Sequence, residues 1–183
     1  MEQLRSAFGR GPPEGSIYDM LRAEHRQIKA SLQEILGSGR IMQDVFSQTA
    51  TALEIHMKGE EALLYPKLEE NNSTRAYAVK SREEHNFARM AIKDINNAAA
   101  DERWMAKVSL LYDVVNHHIN VEESDVFPAA RKVLTDTLAM QMGREYRTRV
   151  PSEMHSPAAT QPPSSQEMSE TPPVAPQKQE DEP

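Results

Sequence analysis

The chain carries the same pattern of residues twice, and this repeat constrains its fold more than any other feature. Residues 56–66, HMKGEEALLYP, recur as residues 118–128, HINVEESDVFP. Both copies read His, three residues, two glutamates, and later an aromatic residue followed by proline. A Glu-His dipeptide also occurs twice, ending at His25 and at His85. Each half of the chain therefore contains a Glu-His segment and then an HxxxEE segment, which predicts two similar helix pairs.

Apolar residues recur at helical spacing in all four of these segments. In the first segment they lie three, four or seven residues apart, and His25 fills the one gap in the series, which is Ile17, Leu21, Ile28, Leu32 and Ile35. Such spacing keeps one face of a helix against its neighbours. No stretch alternates with period two, so no sheet is predicted. Four helices with short connections predict an all-α, antiparallel up-down four-helix bundle.

Caps and turn residues predict where these helices begin and end. Ser16 and Asp19 resemble a capping box, and Gly37 and Gly39 are typical of a helix end. The predicted helices span residues 16–37, 40–70, 73–97 and 101–133, with a short fifth helix at 135–147.

Composition divides the chain into three parts. Residues 1–15 end in GRGPPEG, which predicts a flexible leader. Residues 16–147 form the predicted bundle. Residues 148–183 contain eight of the twelve prolines. A segment of this kind buries too little apolar surface to offset its ordering entropy, so a Pro-rich, disordered tail is predicted.

Charge and cysteine content exclude several classes of function. The net charge of -7 disfavours binding to nucleic acid or to an anionic membrane surface. The chain has no cysteine, which excludes disulfides, zinc–thiolate sites, iron–sulfur clusters and cysteine nucleophiles. The sequence shows no signal peptide and no run of about 18 apolar residues, so we expect a cytoplasmic protein.

Histidine and glutamate side chains interrupt the apolar faces at matching depths. Residues four apart lie on one face of a helix, so His56 points with Glu60, and His118 with Glu122. At about 1.5 Å per residue, the connections place all six candidates in one layer. Burying even one unpaired carboxylate costs several kcal/mol, and metal ions would neutralise such a layer. The predicted metal ligands are His25, His56, Glu60, His85, His118 and Glu122.

Other polar residues near this layer are open to a simpler interpretation. A single histidine on an apolar face is usually a hydrogen-bonded core residue, but here the pattern occurs twice in register. His117 lies about 100° round the helix from His118, so we expect a flanking role. The glutamates beside the candidate ligands are expected to be mostly solvated, with one or two orienting an imidazole. The tyrosines are expected to pack in the core, although one near an open metal position could become a ligand. The glutamates beside the candidate ligands are Glu24, Glu61, Glu84 and Glu123, and the tyrosines are Tyr18, Tyr65, Tyr77 and Tyr112.

The combined pattern resembles the hemerythrin-like family, also called the HHE cation-binding domain, over residues 16–135. The resemblance implies a non-haem di-iron centre in which Glu60 and Glu122 bridge the irons. It further implies that His25 and His56 serve one iron, and His85 and His118 the other. Nitrogen and carboxylate ligands without thiolate also suit manganese or zinc, and the resemblance favours two iron ions.

One departure from the oxygen carriers of that family concerns the third helix. They have a further histidine four residues after the first, where this chain has Arg89. The resemblance without that imidazole implies a centre that binds or reacts with dioxygen, peroxide or nitric oxide, in oxidative or nitrosative stress or in iron homeostasis. A reversible sensor or carrier without catalysis, and iron storage or donation, stay open as alternatives. The tail could contact a partner protein, although no motif supports this.

Overall fold

A computed structural model describes residues 15–154, and the backbone over this range is helical without any strand. The predicted leader before Gly15 and the predicted tail beyond Met154 lie outside the described residues. The helices are α1 (Ile17–Ser38), α2 (Gln43–Glu69), α3 (Arg75–Asn96), α4 (Glu102–Val121), a π-helical segment (Glu122–Val126), α5 (Phe127–Val133) and α6 (Asp136–Met154).

The helix ends follow the local sequence signals. At the start of α1, the backbone N–H and the hydroxyl of Ser16 both donate to Asp19, at 2.9 and 2.7 Å. Gly39 follows α1 with a φ of 61°, a left-handed conformation that glycine adopts without a steric penalty. Asp101 caps α4 by accepting hydrogen bonds from two backbone N–H groups of its first turn.

The first four helices form the predicted antiparallel up-down bundle. Each packs against its neighbours in the chain, and α4 closes the ring against α1. The predicted fifth helix is present as α6, which packs against α1 and α2 and runs to Met154, beyond the predicted domain boundary at residue 147. None of the described helices has the length and hydropathy needed to cross a membrane.

The fourth predicted helix is interrupted within the second repeat. Glu122 begins the π-helical segment, in which the backbone N–H of Phe127 donates to the carbonyl oxygen of Glu122. Pro128 follows directly and has no N–H to continue the α-helical pattern. The first repeat accommodates Pro66 inside α2 without such a segment. The two copies therefore share a sequence pattern but differ in backbone geometry.

The apolar core consists of two clusters separated by polar residues. One cluster lies towards the start of α1 and includes Ile17, Leu64 and Phe127. The other includes Leu32 and Trp104. Along each of the first four helices, the chain passes from one cluster to the other through a buried histidine or a buried histidine and glutamate. The bundle thus encloses one polar layer between two apolar ones.

Candidate metal centre

The polar layer brings together all six side chains that the spacing predicted to meet. Each of the six is at most 7% exposed, and both glutamates are fully buried. Their nitrogen and oxygen atoms form two groups, each compact enough to surround a single metal ion, and Glu60 belongs to both. The groups are His25, His56, Glu60 and Glu122, and Glu60, His85 and His118.

Each histidine directs its Nε2 atom towards a carboxylate of the layer. Glu60 reaches both groups, because its two oxygens face histidines of different helices. The Nε2–oxygen distances are 3.4 Å for His56–Glu60, 3.3 Å for His85–Glu60, 3.3 Å for His25–Glu122 and 3.8 Å for His118–Glu122. The Nε2 atoms of His85 and His118 lie 3.3 Å apart. Nitrogen and oxygen lone pairs thus converge from four helices.

Several of these converging atoms lack a hydrogen-bond partner. Among the described residues, no partner is present for Nε2 of His25, Nε2 of His56, Oε1 of Glu60 or Oε2 of Glu122. Leaving a buried polar atom unpaired costs about 1–3 kcal/mol, and more when the group is charged. Four such atoms facing one another fit a site built for a cation, and imidazole with carboxylate is a donor set that iron accepts.

Four glutamates, here called the outer glutamates, form a ring around the layer, and each contacts the Nδ1 side of one imidazole. Each Nδ1 atom lies at hydrogen-bond distance from a glutamate on the preceding helix of the ring. The pairs are Glu24–His56 at 2.9 Å, and Glu61–His85, Glu84–His118 and Glu123–His25 at 2.8 Å each. The expectation that most of these glutamates are solvated is therefore wrong. Such bonds fix the ring orientation and leave Nε2 free for a metal.

Arg89 supports this ring instead of supplying a fifth imidazole. Its guanidinium donates to both oxygens of Glu61, at 2.9 and 3.0 Å, and to Glu54 at 3.0 Å. Burial alone would raise the pKa of Glu61, but the hydrogen bonds from His85 and Arg89 outweigh it and lower that pKa to about 2. Glu61 therefore stays ionised behind His85.

The inner groups strongly perturb one another's protonation. Burial raises the pKa of Glu60, and the charge of Glu122 raises it further. The pKa of Glu122 is lowered despite burial, because the imidazoles of His25 and His118 stabilise its charge. Burial would lower the pKa of His25, but the carboxylates of Glu122 and Glu123 raise it to about 9.

The aromatic residue of each repeat contacts a side chain of the layer from the adjoining apolar cluster. The Tyr65 hydroxyl lies 3.1 Å from Nε2 of His85 and 3.2 Å from an oxygen of both Glu60 and Glu122. In the second repeat, Phe127 stacks on His25 with ring centroids 6.0 Å apart. Tyr65 was one of four tyrosines expected to pack, with one of them open to metal ligation, and its place before the repeat's proline is the sequence signal that singles it out. One repeat thus brings a hydroxyl to the centre and the other does not.

A small cavity adjoins the histidine side of the layer. Its volume is about 10 Å³, which suffices for one water-sized molecule. Its lining combines the imidazoles of His56, His85 and His118 with Glu84 and with apolar side chains such as Val114. A molecule in this space would therefore contact both imidazole and apolar groups.

The remaining candidates lie away from the layer or outside the described part of the chain. His117 is exposed, as expected for a flanking residue. Tyr18 is buried in the apolar core, as expected. Tyr112 accepts a hydrogen bond from Gln33 on the bundle surface, at 2.8 Å.

Comparison with known proteins gives the following matches. The family model described as the hemerythrin HHE cation binding domain matches residues 16–130. A protein of Nostoc sp. named DNA nickase is 27% identical over 138 residues, which cover 72% of this chain and 38% of that protein. An uncharacterized hemerythrin-like protein of Schizosaccharomyces pombe is 25% identical over 155 residues, 80% of this chain and 76% of that protein. This chain therefore spans well under half of the Nostoc protein. No solved structure matches it.

Proposed function

Because the chain belongs to the hemerythrin HHE cation-binding domain family, we propose that its buried layer binds two iron ions that react with dioxygen, peroxide or nitric oxide. The observation that carries this proposal is the set of four unpaired buried atoms on His25, His56, Glu60 and Glu122. A pair of cations would satisfy them and would offset the charge of the two buried carboxylates. Manganese and zinc are the alternative metals, since they accept the same donors.

The protein side chains would divide the work by position. His25, His56 and Glu122 would hold one metal ion and His85 and His118 the other, with Glu60 shared by the two groups. Iron held by nitrogen and carboxylate ligands supplies redox chemistry with small oxygen or nitrogen species. The outer glutamates keep each Nε2 atom directed inwards. The apolar core on both sides of the layer excludes bulk water.

Two features favour a reaction over simple storage. The cavity of about 10 Å³ beside His85 and His118 has room for one water-sized molecule and excludes an organic substrate. The Tyr65 hydroxyl lies within 3.2 Å of an oxygen of both Glu60 and Glu122, so it is placed to donate a proton at the centre of the layer. The nickase activity in the name of the Nostoc protein has no counterpart in these features, and the net charge of -7 disfavours DNA.

Metal analysis and ligand addition test the proposal. Protein expressed in iron-rich medium should carry about two irons per chain, as other bundle-held dinuclear centres do, with near-ultraviolet absorption when oxidised. Addition of oxygen, peroxide and nitric oxide separately to the reduced protein should then show turnover with at least one of them. Stable adducts without turnover would favour the carrier or sensor instead. Zero or one metal per chain would reject the dinuclear centre.

Tyr65→Phe separates the reaction from metal binding. This variant should keep its irons and lose most of the turnover, because only the hydroxyl is removed. Tyr112→Phe is the matched control, since Tyr112 also forms a hydrogen bond between helices but lies outside the layer. Equal turnover in parent and Tyr65→Phe would exclude the hydroxyl as the proton donor. A cytoplasmic location stays a prediction from the sequence.

A further inference from the structure

Helix α6 reaches the layer although it lies beyond the residues that match the family model. It packs against α1 and α2 and inserts Tyr146 between them, where the side chain is 1% exposed. Tyr146 shares the apolar cluster with Tyr18 and Tyr65. A residue outside the repeated helix pairs is thus buried next to the outer ring.

Gly59 provides the space that the Tyr146 ring occupies. A Cβ atom at Gly59 would lie 2.2 Å from one ring carbon of Tyr146 and 2.9 Å from another. Gly59 stands in the middle of α2, where glycine costs about 1 kcal/mol relative to alanine. The second repeat has Val121 at the equivalent position. The first repeat therefore departs from the second at the residue that admits the α6 side chain.

The Tyr146 hydroxyl donates to Glu24, and the same Glu24 oxygen faces Nδ1 of His56 at 2.9 Å. The other three outer glutamates contact a cation on their outer side. Arg89 contacts Glu61 at 2.9 Å, Lys80 contacts Glu84 at 3.3 Å, and Arg22 contacts Glu123 at 3.7 Å. Tyr146 thus takes, for one glutamate, the position that a basic side chain takes for the others.

We propose that Tyr146 is a positioning residue of the metal centre, which orients His56 by holding Glu24 in place. Gly59 and α6 then belong to the centre as much as the four bundle helices do. The inference rests on the proposed metal site and adds to it a fifth helix and one specific hydroxyl. Its effect should fall on the metal position that includes His56 and spare the position served by His85 and His118.

Cobalt(II) titration of the metal-free full-length chain provides the test, because the d–d absorption of cobalt reports ligand geometry independently of catalysis. Tyr146→Phe removes the hydroxyl and keeps the ring. We expect it to weaken one of the two cobalt equivalents about tenfold, the lower end of what loss of an outer hydrogen-bond partner costs a metal site, and to change its spectrum. Tyr18→Phe is the matched control, since Tyr18 is equally buried and its hydroxyl has no hydrogen-bond partner among the described residues.

A second variant tests the same path without touching the ring. Glu24→Gln should change the same cobalt equivalent, and Tyr146→Phe should add little in that background, because both act through His56. Three results would each overturn the inference. In the first, Tyr146→Phe has the affinities and spectrum of Tyr18→Phe. In the second, the effects of Tyr146→Phe and Glu24→Gln are additive, and in the third, both cobalt equivalents are weakened equally. A parent chain that binds fewer than two cobalt ions would reject the dinuclear centre, and this inference with it.

Discussion

Replacement of Gly59 by alanine should destabilise the protein, although alanine is the better helix former. The substitution gains about 1 kcal/mol of helix propensity. Its Cβ atom, however, would lie 2.2 Å from a carbon of the buried Tyr146 ring. Carbon atoms normally approach to about 3.5–4.0 Å, so the ring must move by more than an ångström.

The expected change in the free energy of unfolding combines the gain in helix propensity, the cost of overpacking and the loss of one hydrogen bond. Overpacking of this kind costs about 1–3 kcal/mol. Displacement of the ring also breaks the bond from Tyr146 to Glu24, and a hydrogen bond to a charged group contributes about 1.5–3 kcal/mol. After the gain in helix propensity is subtracted, we expect the free energy of unfolding to fall by about 1.5–5 kcal/mol. For a chain of this length, that lowers Tm by roughly 3–20 °C.

Gly37→Ala is the matched control. Gly37 also lies inside a helix, but a Cβ atom there meets nothing within 4 Å. This variant should gain roughly 0.5–1 kcal/mol in the free energy of unfolding. Urea denaturation at matched metal content, followed by circular dichroism, measures both. In a Tyr146→Ala background, Gly59→Ala should become as favourable as Gly37→Ala. Equal effects of the two glycine substitutions in the parent chain would refute the reasoning, because they would show that the ring moves aside without cost.

Three further outcomes are expected from the centre itself. Arg89→His should lower metal affinity about tenfold, because it releases the glutamate behind His85 and its side chain does not point into the layer; a gain of a nitrogen ligand, seen by electron paramagnetic resonance, would contradict this. Glu60→Ala and His118→Ala should lose bound metal while His117→Ala retains the parent's metal content, and equal losses at His117 and His118 in elemental analysis would show that the wrong neighbour was chosen. The raised pKa of His25 contributes stability to the metal-free protein that is fully present below pH 6.5 and is lost as the pH rises through about 9. Urea denaturation of the metal-free protein should therefore show a falling free energy of unfolding across that pH range. The same measurement after metal is added should show no such fall.

The sequence predicted the bundle and the meeting of six side chains in one layer because both depend on short-range spacing. His56 and Glu60 share a helix face, whichever helix they pack against. The role of Glu24 and its three counterparts depends on which helix follows which around the bundle. Residues next to a ligand position lie about 100° round their own helix, so their partners belong to the neighbouring one. No spacing within one helix reveals that order.

The contribution of α6 to the metal centre could not be predicted from the sequence, for a related reason. A fifth helix was predicted, but its docking place was not. Tyr146 and Gly59 are far apart in the chain, and only their packing explains why glycine stands next to a buried glutamate. The prediction that the outer glutamates are mostly solvated failed because their polarity suggested water as the partner. The structure gives each of them an imidazole instead.

The order of the outer ring decides how this domain can be recombined with its relatives. Two of the glutamate–histidine pairs, Glu24–His56 and Glu84–His118, lie within one repeat each. The other two, Glu61–His85 and Glu123–His25, join one repeat to the other. A chimera that takes α1 and α2 from a second protein therefore severs two of the four supports unless the donor supplies compatible glutamates. The halves are duplicates in sequence, but neither is a module that can be exchanged alone.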